Sequence, residues 1–232
     1  MKNISLSQLN EMLQSGVRDF SDCLFDHLDL RGMDLSGCCF DLSDFRNCDM
    51  TWAKMCHSAF RNAFFGGSVL ENADLRGAVL ESADLRGCDM GNADIRGADM
   101  TSSSALYKAD LSGLITDETT INFHMKCPEK GAFIGWKVCY GRKVVMLLVP
   151  EDAQRVQGTR REIRVDKAKV LTIKSIDLRE SYNEAHAYVD ENFIYKKGEM
   201  VYAVGFDPDR FTDSAGGIHI WLSREEAVAY LG

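Results

Sequence analysis

With 27 Lys and Arg against 35 Asp and Glu, the 232-residue chain carries a net charge of −8. The imbalance sits in residues 18–113, which hold 16 acidic and 9 basic side chains, a balance of −7; that sign repels nucleic acid and argues against direct DNA binding by this half. Eight cysteines occur without a Cys-x-x-Cys pair, which argues against a zinc site, and no metal or cofactor is expected.

Residues 1–17 read as a helix. Ser5 followed by Gln8 is a capping-box pattern, Leu6, Leu9, Met12 and Leu13 share a face, and Gly16 is a natural stop. The segment is too short and polar for a signal peptide or a membrane span. Its expected role is to cover the open strand edges of the segment that follows.

From Phe20 to Met100 a large apolar residue stands at every fifth position: Phe20, Phe25, Leu30, Leu35, Phe40 and onward without a slip to Met90, Ile95 and Met100. Two residues before most of them sits a small one, such as Cys38, Ser43, Cys48, Ala53 or Ala73. A helix repeats at 3.6 residues and a strand at 2, so neither accounts for a period of five. Fixed-period self-similarity marks a solenoid.

The units Ala73-Asp-Leu-Arg-Gly77, Ala83-Asp-Leu-Arg-Gly87 and Ala93-Asp-Ile-Arg-Gly97 resemble the pentapeptide-repeat family. The resemblance implies a right-handed quadrilateral β-helix, one side per pentapeptide and twenty residues per coil, with the central apolar residue and the small residue inward. About 19 pentapeptides at strand spacing give a stack roughly 23 Å long. Phe20, Phe40 and Phe60 should then form one interior column, and Phe25, Phe45 and Phe65 the next. Leu28 and Met33 occupy slots that want a small residue, so the first coil is expected to be wider or irregular there. Leu24, Trp52, Phe64 and Val69 fall on outward positions and could form a partner-binding patch.

The rhythm breaks at Ser102–Ala105, returns at Ala109–Gly113, and gives way to an expected linker over residues 114–122. Residues 123–232 read as a separate α+β domain. Phe133–Cys139 and Lys143–Val149 form a hairpin around Tyr140-Gly141-Arg142, followed by strand-like runs in 161–173, 195–204 and 218–222. Ser223 with Glu226 opens a last helix with a second capping box. The segments Lys167–Leu171 and Gly217–Ala227 resemble an uncharacterised domain appended to pentapeptide repeats in phage and bacterial genomes. That resemblance brings no activity with it.

No nucleophile elbow, phosphate loop or dinucleotide fingerprint occurs, so no catalytic residues are assigned and the protein reads as a non-enzyme. Two speculative surfaces remain. On the repeat, the outward aspartates Asp74, Asp84, Asp89, Asp94 and Asp99, with Trp52 and Phe64, could meet a protein partner. The strongest version is a phage decoy that mimics DNA. Its charge, about one per 3 Å against one per about 1.7 Å for duplex DNA, makes that only weakly encoded. In the second domain, His219 and Trp221 after Gly216-Gly217, with Arg160, Arg161, Arg164 and Lys167, could bind, or act on, a small anionic ligand such as a nucleotide. A protein partner is expected, homodimerisation is open, and no membrane contact is foreseen. Free cysteines without a signal peptide point to the cytoplasm of a bacterial cell or phage host.

Overall fold

The computed structural model describes residues 1–102, 106–212 and 216–230. The chain forms two compact units, one of Met1–His124 with Phe211–Asp213, the other of Met125–Arg210 with Ser214–Gly232. The elements are β1 (Lys2–Asn3), α1 (Leu6–Gln14), β2 (Cys23–Leu24), β3 (Phe133–Cys139), β4 (Lys143–Val149), β5 (Arg155–Val156), β6 (Ile163–Val165), β7 (Lys167–Ser175), β8 (Glu184–His186), β9 (Ile194–Lys196), β10 (Met200–Tyr202), β11 (Ile218–Ile220) and α2 (Arg224–Ala229).

The first unit is held together by parallel bridges between residues twenty apart, among them Asp19 with Cys39, Cys39 with Ala59, Asp44 with Phe64 and Phe64 with Asp84. Every central apolar residue from Phe20 to Met100 is buried. Phe40 stacks between Phe20 and Phe60 with ring centroids 5.3 Å apart on each side. Phe45 lies 4.7 Å from Phe25 and 5.2 Å from Phe65 in the next column, and rings of the two columns meet edge-on. Both arrangements are favoured pairings of aromatic quadrupoles.

The small inward slots are not interchangeable. Ser43 donates its hydroxyl to the Phe20 carbonyl at 2.7 Å and Ser58 to that of Leu35 at 2.8 Å, while the thiols of Cys48 and Cys88 reach the Phe25 and Phe65 carbonyls. A polar atom in this slot ties one coil to the one before it, which an alanine cannot do.

Two expectations need correction. Leu28 and Met33 do not disturb the first coil: Asp29 still bridges Asp49 and Asp34 still bridges Lys54. The larger side chains stay half-buried against the core instead of forcing it open. Residues 114–122, read as a linker, carry further rungs. Ile115 bridges Asp94, Ile121 bridges Asp99, and the buried Thr120 donates its hydroxyl to the Ile95 carbonyl at 3.1 Å. These rungs join residues 21 and 22 apart, so extra residues hide the five-residue rhythm without ending the ladder. The expected break at Ser103–Ala105 lies outside the described residues. Phe123 is buried in the same core, with Phe211 packed against it at 6.0 Å.

At the other end, Gln8 donates its backbone N–H to Ser5 Oγ at 3.3 Å while Ser5 N–H reaches Gln8 Oε1 at 2.9 Å, a complete capping box for α1. Leu9 is buried in the first unit's core and Leu6, Met12 and Leu13 pack on it. β1 pairs in parallel with β2.

The second unit holds a four-stranded sheet in the order β10-β7-β4-β3, a three-stranded sheet β11-β6-β5 and the pair β8-β9. The β3–β4 hairpin pairs Phe133 with Val149 through Cys139 with Lys143. Trp136 and Trp221 exchange two backbone hydrogen bonds of 2.8 Å. Val145, Leu147, Val170, Ile163, Val165, Ile218, Ile220 and Tyr195 make its main core. Ser223 caps α2 by accepting the Glu226 N–H at 3.1 Å.

Candidate interaction face and candidate anion site

In the repeat unit each side turns through a residue in the left-handed conformation two places after the central apolar one. Gly32, Gly37, Asn47, Asn62, Gly67, Asn72, Gly77, Asn92 and Gly97 hold it, as expected of residues that tolerate positive φ. Leu42 and Trp52 stand in the same register with φ of 61° and 60°. They are 55% and 65% exposed, so the strained conformation is not compensated by burial.

The aspartate before the central apolar residue has a structural task. Its Oδ1 accepts the backbone N–H two residues on, as in Asp74 with Arg76, Asp84 with Arg86, Asp89 with Gly91 and Asp99 with Thr101. This side-chain turn stabilises each corner. Where arginine follows, the guanidinium returns to the same carboxylate: Arg76 to Asp74 at 2.7 Å, Arg96 to Asp94 at 2.6 Å, and Arg86 to Asp84. The arginine holds the carboxyls of Asp74 and Asp94 below the usual range, and Asp29 beside Arg31 drops to about 2. Asp84 is also lowered, its arginine prevailing over a burial effect of opposite sign. Asp89 and Asp99 have no arginine two residues on.

Phe64 breaks this pattern. Its column reads Asp44 with Arg46, then Phe64 with Gly66, then Asp84 with Arg86. The Phe64 ring lies across Gly66 where a Cβ would collide with it. Leu42 sits two residues before Asp44, the bridge partner of Phe64, and Leu24 is the other bridge partner of Asp44. Leu24 and Phe64 thus stand in one column with Asp44 between them. Leu42 and Trp52 lie in the corner register instead, ten residues apart along the same coil.

In the second unit the basic run is dispersed. Arg160 lies 3.9 Å from Glu162, Arg161 3.8 Å from Glu226, and Lys167 holds Asp152 at 2.6 Å. Arg155 donates to the carbonyls of Ala153, Pro128, Gly131, Pro150 and Glu151, so it is a loop clamp. Trp221 is buried with Val138, Val144 and Ala227 and stacks 4.8 Å from Tyr230, a packing role rather than a ligand wall. His219 and Arg164 do come together as directly opposed residues of β11 and β6.

Residues 19–51, 48–87, 65–101 and 73–113 match pentapeptide repeats, in eight copies, and residues 123–227 match a family of unknown function, DUF5758. The chain is a run of pentapeptide repeats followed by a DUF5758 domain. Solved pentapeptide-repeat proteins are similar to it. One from the Arabidopsis thaliana thylakoid lumen is 25% identical, with 44% of this chain and 70% of that one covered and a TM-score of 0.28. One from Nostoc PCC 7120 is 25% identical, with 50% and 98% covered and a TM-score of 0.35. HetL, involved in heterocyst differentiation regulation in Nostoc sp. strain PCC 7120, is 16% identical, with 48% and 92% covered and a TM-score of 0.27. No curated protein matches the chain.

Sequence reasoning missed two features of this pentapeptide-repeat and DUF5758 chain. Leu42 was legible as a bulky residue, like Trp52, in the register otherwise held by Gly, Asn, Asp, His and Ser. Thr159 in the DUF5758 domain had no signal, since only tertiary burial distinguishes it from a solvated loop threonine. Among the described residues no helix is long and apolar enough to cross a membrane.

Proposed function

We propose that the repeat is a protein-interaction module built as a right-handed, four-sided β-helix, with α1 closing its first coil. Five-residue steps and bridges twenty apart support four sides per coil. The observation that carries the interaction reading is the pair Leu42 and Trp52: bulky apolar residues kept in a strained conformation and left in water. Such strain persists where the exposed side chain has a use outside the fold. Phe64 adds to this, since its column with the salt-bridged Asp44 and Asp84 has a mixed apolar and charged character suited to a protein surface.

The sharper form, a phage-encoded decoy for a DNA-acting enzyme, needs uncompensated negative charge. Asp74, Asp84 and Asp94 each share theirs with an arginine, which favours a protein face over DNA mimicry. The test is capture of a partner from bacterial lysate by the full chain and by Trp52→Asn and Phe64→Asn variants. A partner held by the wild type and lost by either variant supports the reading; equal capture by all three removes it. Inhibition of gyrase supercoiling that fades with rising salt would restore the decoy.

A further inference from the structure

We infer that the DUF5758 domain binds a small phosphoryl oxyanion at Arg164, independently of the repeat's interaction face. Arg164 is only 6% exposed, yet it forms no ion pair with any carboxylate among the described residues. Its Nη2 donates to the Asp209 carbonyl at 2.6 Å, and its Nη1, also buried, has no partner among the described residues. A buried guanidinium with no counter-charge is costly, and an anion is the species that removes the cost. Arg155 shows the contrast: it is fully engaged by five carbonyls and has no donor left to offer.

A second buried group points the same way. Thr159 is 5% exposed and its Oγ1 has no hydrogen-bond partner among the described residues. The two residues flank one stretch of chain: Arg164 grips the Asp209 carbonyl, while Gly158, beside Thr159, lies so close to the Arg210 carbonyl that a Cβ would stand 2.7 Å from it. Gly217 leaves room beside the Arg164 stem, where a Cβ would meet Arg164 Cβ at 3.1 Å. His219 stands opposite Arg164 across the β6–β11 pair, with Cβ atoms about 5 Å apart for such a pairing. A guanidinium N–H and a hydroxyl thus come from segments that both pack against residues 209–210, with His219 opposite Arg164 in the sheet. These are donors for a multi-oxygen anion, and the charge-assisted one is the stronger.

The anion is free phosphate or the phosphoryl end of a nucleotide, and calorimetric titration of the full chain with inorganic phosphate and, separately, ADP distinguishes them. Binding of phosphate supports the first and binding of ADP alone supports the second. Arg164→Gln and Thr159→Val should each weaken binding about tenfold or more. Thr159→Val keeps the side chain's shape, and removing an unsatisfied buried hydroxyl leaves the fold intact. Circular dichroism of both variants is the check that the fold is kept. Absence of binding by both ligands, or binding that survives unchanged in either variant, overturns the inference.

Discussion

The far end of the Phe64 ring occupies the place a side chain at Gly66 would take, in the column that holds the Asp44–Arg46 and Asp84–Arg86 pairs on the coils either side. A side chain at position 66 evicts the ring, because a Cβ there would collide with its far end. Gly66→Arg is therefore expected to swing Phe64 away while leaving the coil folded. A partner that docks on Phe64 should be lost from this variant in a pull-down, with an unchanged circular dichroism spectrum.

Leu42 and Trp52 make an opposite prediction for stability and binding. Replacing either by Asn, the residue found at the equivalent place in Asn47, Asn62 and Asn72, relieves left-handed strain of about 1 kcal/mol. Denaturant midpoints should rise slightly while partner capture falls. A drop in stability would mean that these side chains serve the fold.

The interior column is where truncation should cost most. Phe40 contacts rings above, below and in the adjoining column. Phe40→Ala should destabilise the repeat by about 3–5 kcal/mol, and Phe40→Leu by less. Denaturant unfolding followed in the repeat's β signal measures both.

Acid should weaken the repeat through its aspartates. A carboxyl whose folded pKa is depressed contributes stability that is present above its unfolded value, near 4, and is lost as pH falls through the folded value. Asp29 sits at about 2 and Asp74 is lowered too, so the loss should fall below about pH 4 and run through pH 2. Asp74→Asn keeps an acceptor for the Arg76 N–H but gives up the ion pair. Its stability should change less over that interval than the wild type's, which a pair of pH-dependent melts would reveal.

Thiol labelling tests which small slots face inward. Burial pushes Cys48 up to about 11, and Cys88 and Cys139 up to about 12. In native protein at pH 8 these three should resist maleimide, while the half-exposed Cys39 and Cys56 react first. Mass spectrometry before and after unfolding assigns each site.

The five-residue period by itself fixed which residues of the first half are buried and which of them stack. Every coil meets only its neighbours, so position modulo twenty is position in space, and the Phe20–Phe40–Phe60 column was legible before any coordinate. The β3–β4 hairpin was legible for a similar reason, since its partners adjoin in sequence. What the chain order could not show is anything set by distant segments meeting. The rungs at Ile115 and Ile121 were hidden because inserted residues spoil the period while backbone pairing tolerates them. Trp221 read as a pocket wall until Val138, Val144 and Ala227 closed on it. Arg164 looked like one cation in a solvated run. Only tertiary packing stripped it of water without supplying a carboxylate, because the burial of a charge depends on which remote segment covers it.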